Sequence, residues 1–254
     1  AHNANFEGFN FLFTTPMLYT DARRGNTTQI FSKLVRVSGT EQAVQHYGIG
    51  DSFADQFTIR GTEIKLDHEH SMINSTLASG QTQTARVQQG LISAIMSGQS
   101  TYTSYGSTVS LTETMLNDHL QLMWSYGSKP KDWYCNGFLK RRISSFTTGV
   151  TKFIDVNAQK QVNTQSVYES DFGVITIHLC RDVLSVPTGL GASSTVSGHG
   201  LLGLDTTFIK KAWLRPLTAE RTPKLADSSD GVIYSEMTTE FGHPNAHFYM
   251  RGSL

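Results

Sequence analysis

The chain has 254 residues, the size of one large domain or two small ones, and is long enough to bury about 70 to 75 % of the surface its unfolded form exposes. Hydrophobic residues make up 38 % and charged residues only 17 %, with 22 Gly among many small polar residues, a composition that excludes a disordered chain and a coiled coil. Lys and Arg together number 21 and so do Asp and Glu, so the long-range field of a dedicated nucleic-acid binder is absent, and a weakly charged neutral surface suits contact with other proteins.

The sequence begins at Ala1 without Met, a basic stretch or an apolar segment, which reads as no signal peptide and as a chain shortened upstream. No apolar run approaches the ~18 residues of a membrane span. Phe9, Phe11 and Phe13 alternate with Asn10 and Leu12, predicting a strand with an aromatic face that packs either on the chain's own core or on another molecule. Residues 51–77 predict one helix of about 26 residues and ~40 Å. Asp51 is its N-cap, Phe53 and Phe57 stand one turn apart, and Ile59, Leu66 and Ile73 recur every seven, leaving a polar ridge of Asp55, Glu63, Asp67 and Glu69. Gly61 is an internal weak point costing about 1 kcal/mol relative to Ala.

Ser110 and Glu113 form a capping box for a second helix running through Met115, Leu116, Leu120 and Met123 to Gly127, with Pro130 closing it. A short strand at 132–135 leads to Asn136, the cap of a helix whose apolar face is Phe138, Leu139, Ile143 and Phe146. Helix, strand and helix joined by short links make an α+β layer. Residues 174–180 read as a half-buried strand and residues 186–203, dense in Gly, Ser and Thr, as a mobile surface loop. Strands follow at 208–214, 232–241 and 246–251, the last two joined as a hairpin by Gly242-His243-Pro244-Asn245.

Charge is segregated along the chain. Residues 51–77 and the last 30 residues each carry a net −3, whereas residues 129–152 carry +5 from Lys129, Lys131, Lys140, Arg141, Arg142 and Lys152 against Asp132. The Lys140-Arg141-Arg142 run suits either a phosphate backbone or the acidic stretches of a protein partner, and a solvated helix face is the plainer reading.

No catalytic constellation emerges. Asp67-His68-Glu69-His70 has metal-ligand residue types, but on a helix His68 and His70 lie ~200° apart and cannot chelate one ion, so the cluster reads as a solvated face and not as a metal-dependent hydrolase. Cys135 and Cys180 lack zinc or disulfide spacing and read as two reduced, half-buried thiols of an intracellular protein. Gly189-Leu190-Gly191 lacks the third Gly of a dinucleotide loop, and no P-loop or G-x-S-x-G occurs. Asn26-Thr27-Thr28 and Asn74-Ser75-Thr76 fit the glycosylation sequon, which carries no weight without secretion. The expectation is no catalytic residue, no cofactor and no metal.

Several blocks together resemble tailed-phage major capsid proteins. They are Asn26-Thr27-Thr28-Gln29-Ile30-Phe31 leading into Val37-Ser38-Gly39-Thr40, Ala43-Val44 and Tyr47-Gly48, then Glu63-Ile64-Lys65-Leu66-Asp67-His68-Glu69, Ala85-Arg86 and Gly90-Leu91. Asn136-Gly137-Phe138, Lys140-Arg141-Arg142-Ile143-Ser144, the specific Val167-Tyr168-Glu169-Ser170-Asp171-Phe172-Gly173 and the segment from Glu236 to Asn245-Ala246 extend the resemblance over nearly the whole chain. It implies the Hong Kong 97 phage capsid fold: residues 1–28 a remnant of the extended loop, 29–100 a peripheral domain with the 51–77 helix as its spine, 101–215 an axial domain, and 216–254 strands returning to the peripheral domain. The N-terminal arm and outgoing loop limb are missing, and no motif assigns a Lys to Asn cross-link.

The function it implies is a shell protein of the virion, assembled in the host cytoplasm from hexameric and pentameric capsomers around double-stranded DNA. Portal and decoration proteins and loose contact with DNA are its further partners. The candidate subunit interface comprises Phe9, Phe11, Phe13, Arg141, Arg142, Glu236 and Glu240. The alternatives are an encapsulin-like compartment and a metal-dependent hydrolase at His68 and His70.

Overall fold

The structure, a computed structural model, describes residues 25–44, 47–48, 50–82, 84–97, 101–105, 110–129, 131–146, 167–183, 199–224 and 226–252. The aromatic segment at Phe9, Phe11 and Phe13, the closing Pro130, the Gly189-Leu190-Gly191 stretch and most of the expected 186–203 loop lie outside the described residues. In chain order the elements are β1 (Gln29–Ser38), α1 (Gly39–Ala43), α2 (Ser52–Asn74), α3 (Leu91–Met96), β2 (Tyr102–Ser104), α4 (Glu113–Ser125), β3 (Asp132–Cys135), α5 (Gly137–Phe146), β4 (Val167–Ser170), β5 (Gly173–Leu179), β6 (Gly200–Leu204), β7 (Ile209–Arg221), β8 (Ser228–Phe241) and β9 (Phe248–Arg251).

The 23 residues of α2 start where the Asp51 carboxylate accepts from the N–H groups of Phe53 (2.9 Å) and Ala54 (3.4 Å), and they span about 35 Å. The helix ends at Asn74, short of the expected 77, because Ser75 turns extended and its carbonyl accepts from Gly90 N–H at 2.8 Å. Its buried stripe is Phe53, Ile64, His68, Ser71 and Asn74, with Phe57 half-buried beside it. Ile59 and Leu66, expected to be apolar contacts, are 45 % and 57 % exposed, since Ile59 sits roughly 140° around the axis from Ile64. Ile73, the third member of that spacing, is half-buried against Leu91, Ile92 and Ile95.

That sheet has the order β1-β8-β7, antiparallel throughout, with β1 in register from Gln29 opposite Met237 to Ser38 opposite Ser228. Phe31, Val35 and Val37 of β1 and Ile233 and Met237 of β8 face α2. Each such fully buried side chain contributes roughly 1.5 to 3 kcal/mol. Gly231 makes the approach feasible, because a Cβ there would lie 2.4 Å from the Phe57 ring. The edge strand β7 carries Pro216 within its irregular register between Arg215 and Thr218, where no ladder N–H is needed.

The second sheet has the order β2-β9-β6-β3-β5-β4, parallel at β2-β9 and β3-β5. One face, with Trp133, Cys135, Leu201, Phe248 and Met250, packs on Leu116, Leu120 and Met123 of α4 and Leu139 and Ile143 of α5. The other face, with Leu202, Leu204 and Tyr249, packs on Leu91, Ile92 and Ile95 of α3. A sheet covered on both faces needs continuous apolar strands, and all five residues of β6 are buried. Residues 200–203, expected in a mobile loop, are therefore core. Gly203 marks close packing, since a Cβ there would lie 1.9 Å from the Phe248 ring.

Two further expectations change. Residues 232–241 and 246–251 are not a hairpin: β8 pairs with β1 and β7, whereas β9 crosses to the other sheet and pairs with β2 and β6, so the Gly242 to Asn245 turn links two layers. The true hairpin is β7 with β8. At α4 the cap is Thr112, whose Oγ1 accepts from Met115 N–H at 3.3 Å, while the Ser110 hydroxyl accepts from Arg142. The strand at 132–135 and the Asn136 cap, whose Oδ1 accepts from Leu139 N–H at 3.0 Å, match the expectation. Leu139 and Ile143 are buried, but Phe138 is 44 % exposed and stacks on His199 at 4.2 Å.

Candidate assembly surfaces

Among the described residues the three-stranded sheet packs on α2 across one face, and its other face is covered in part. Because directly paired residues share a face, Ile30 lies with Glu236, Leu34 with Val232 and Arg36 with Asp230 on the side away from α2. Ile30 is 50 % and Leu34 56 % exposed. At the β7 edge Trp213, Leu214 and Leu217 are also exposed, beside Lys210, Lys211 and Arg215. Apolar side chains standing open beside an unpaired strand edge form a surface suited to another protein.

The same face contains a buried charge. Glu236 is 3 % exposed, and its carboxylate accepts from Thr28 Oγ1 (2.6 Å), Arg86 Nη2 (3.0 Å) and Arg215 Nε (3.0 Å). The Thr28 hydrogen bond, with Arg215 and Arg86, holds the carboxyl below its usual range against the opposing effect of burial. Glu236, expected at a subunit interface, is thus an internal fastening of three separate segments. Asn26, Thr27 and Thr28 complete it: Asn26 Nδ2 donates to Thr239 O (2.9 Å), Asn26 Oδ1 accepts from Gln89 N–H (2.7 Å), and Thr27 Oγ1 donates to Val87 O (2.8 Å). A segment that scans as a sequon is the seam where the chain enters the sheet.

The other candidates separate. Arg142 Nε donates to Leu111 O at 3.5 Å and Lys140 Nζ to Ile177 O at 2.9 Å, so both basic heads fasten α5 to its surroundings, while Arg141 is exposed. Glu240 is exposed, with Lys210 opposite it in the β7-β8 register.

His68 is not on a solvated face. It is 4 % exposed, hydrogen-bonded through Nε2 to Ser235 Oγ at 2.7 Å, and flanked edge-on by Phe31 and Trp213 at 4.5 and 5.6 Å. Burial, reinforced by Lys211, pushes its pKa down to about 4. Ser235 has no exposed surface, so the pair is structural and admits no substrate carbonyl. His70 points elsewhere, its Nδ1 3.2 Å from Asp182 Oδ1. A cavity of about 380 Å³ beside α2 is lined chiefly by Met72, Ile73, Leu91, Leu202, Leu204 and Ile209. Both cysteines are free, Cys135 buried and Cys180 half-buried. Among the described residues no helix is long and apolar enough to cross a membrane.

Sequence reasoning missed the exposed Ile30 and Leu34, because QIFSKLVRVS is apolar on both faces and nothing in that pattern says which face is covered.

Comparison with solved structures gives the same fold in shells of several kinds. The capsid of Myoviridae phage XM1 matches with TM-score 0.61 at 10 % identity over 89 % of this chain and 74 % of that one. The capsid of cyanophage P-SCSP1u matches with TM-score 0.56 at 11 % identity over 96 % and 80 %. The holo-SrpI encapsulin complex from Synechococcus elongatus PCC 7942 matches with TM-score 0.60 at 9 % identity over 88 % and 73 %. A comparison with curated proteins gives no match. The description "SU10 major capsid protein" fits residues 1–253, and with a fold shared by phage capsids this chain belongs to the SU10 major capsid protein family.

Proposed function

We propose that copies of this chain, arranged as hexameric and pentameric capsomers, close an icosahedral head around packaged double-stranded DNA, assembled in the host cytoplasm. The observation that carries this reading is the family match over residues 1–253. In this reading α2 is the spine helix, the three-stranded sheet with α2 is the peripheral part and the six-stranded sheet the axial part. In the same reading the boundary falls before β7, with β7 in the smaller sheet and β9 in the larger one supporting it.

Subunit contacts are assigned to Phe9, Phe11 and Phe13, to the exposed face carrying Ile30 and Leu34, and to the opposite charges of Arg141 and Glu240. DNA contact is loose, portal and decoration proteins are further partners, and the chain catalyses no reaction. The buried, substrate-inaccessible His68-Ser235 pair supports the last point.

The similarity to an encapsulin complex favours one second reading, a compartment holding protein cargo. Particles purified from producing cells are expected to contain nuclease-protected double-stranded DNA. Particles filled with protein and free of DNA would establish the compartment instead. Phe9→Ser with Phe11→Ser is expected to leave the melting of the subunit unchanged while particle yield falls, and undiminished yield would remove that segment from the interface.

A further inference from the structure

We propose that Glu69 and His70 of α2, with Cys180 and Asp182 of the turn after β5, form a binding site for a divalent transition metal of the zinc class. The donor atoms of Glu69, Cys180 and Asp182 all lie within 4.8 Å of one another, and His70 Nδ1 stands 3.2 Å from Asp182 Oδ1. Thiolate, imidazole and carboxylate are the three ligand types that zinc takes. Zinc bonds of about 2.0 to 2.3 Å put neighbouring donors roughly 3.5 Å apart, so closing Glu69, Cys180 and Asp182 on an ion takes side-chain adjustment of about 1 Å, with His70 swinging in from its contact with Asp182.

The two halves come from separate elements that the fold already holds together. Cys180 N–H donates to Cys135 O at 2.9 Å, fixing the turn to the end of β3. Asn74, one helical turn beyond His70, donates through Nδ2 to the backbone carbonyl of Asp182, fixing the same turn to α2. Asn74 is fully buried, and its Oδ1 has no partner among the described residues, so an unsatisfied acceptor stands beside the Asp182 turn. Two carboxylates held this close repel each other, and a divalent cation between them reverses that repulsion. The ion would rivet α2 to the turn that follows β5 of the six-stranded sheet. Binding releases the Cys180 thiol proton to solvent, so affinity rises with pH.

The sequence points away from this site because it draws attention to the pair His68 and His70, which the helix separates. The donors that converge are 111 positions apart between Glu69 and Cys180. The site is independent of whether the chain builds a DNA head or a cargo compartment.

The full-length chain, stripped with a chelator and titrated with cobalt(II), is expected to take up one ion per chain with thiolate-to-cobalt charge-transfer absorption, and zinc is expected to displace it. Cys180→Ser removes that absorption, Cys135→Ser keeps it, and Glu69→Gln and Asp182→Asn each weaken uptake by about tenfold or more. Circular dichroism checks that every variant stays folded, and if Cys180→Ser does not fold, the exposed Glu69→Gln decides alone. No stoichiometric uptake by the parent, an absorption band that survives in folded Cys180→Ser, or uptake unchanged in Glu69→Gln would each overturn the site.

Discussion

The two sheets differ in how completely the chain covers them. The six-stranded sheet has α4 and α5 on one face and α3 on the other, and its strands β6 and β9 are almost wholly buried. Among the described residues the three-stranded sheet has α2 on one face, while the other presents Ile30 and Leu34, and its edge strand β7 is exposed along nearly all its length. Among the described residues one sheet is covered on both faces and the other chiefly on one. The proposed function assigns the open face to subunit contacts and the covered sheet to folding, and substitutions in the two sheets test that assignment.

The largest effect is expected in the six-stranded sheet. Trp133 is fully buried with its ring 5.4 Å from Phe248, and Trp133→Ala removes that packing at a cost of about 3 to 5 kcal/mol, enough to abolish assembly through loss of the fold. Chemical denaturation of the unassembled subunit reads it directly. A loss under about 1 kcal/mol would mean that this core is not the stabilising one.

Acid comes next. His68 and His247 are both buried, and burial pushes each pKa down to about 4, so the folded state resists protonation while the unfolded chain takes up protons near the ordinary histidine value of about 6.5. Their contribution is complete above that value and is lost as pH falls toward 4, on the order of 2 kcal/mol from each. Melting temperature should therefore decline between pH 6.5 and 4, and His68→Gln should flatten the decline. That variant also gives up ring packing between Phe31 and Trp213, so about 1 to 2 kcal/mol is lost at neutral pH, unlike a substitution on a solvated face. A profile that is equally steep in His68→Gln would assign the acid sensitivity to other groups.

Glu236→Gln keeps the shape of the fastening but removes the charge shared by Arg86 and Arg215. Both arginines are about half exposed and regain water, which limits the cost to about 1.5 to 2 kcal/mol in thermal unfolding. The smallest effect on the subunit belongs to the open face. Ile30→Ser with Leu34→Ser should change subunit stability by no more than about 0.5 kcal/mol while lowering particle yield sharply, and normal yield would show that this face is not a contact.

Much of this architecture is legible in the sequence where local chemistry decides. Asp51 caps α2, Asn136 caps α5 and the 132–135 strand stands where its alternation puts it. What is not legible depends on which elements meet in space. Ile59 and Leu66 keep a heptad rhythm that no partner covers, and Gly200 to Leu204 look like loop because a strand buried on both faces loses its alternation. The turn at Gly242 to Asn245 is a correct turn joining the wrong pair, since hairpin and crossover read alike locally. Glu236 looks like a surface charge until Arg86, 150 positions away, closes over it.

In the proposed function, neighbouring subunits cover the open face of the three-stranded sheet within a closed shell. Sedimentation of the purified full-length chain, with electron microscopy of the fast fraction, tests it most directly. Closed particles of megadalton mass are expected from the parent and depleted in Ile30→Ser with Leu34→Ser. A chain that stays monomeric across salt and concentration series would contradict it.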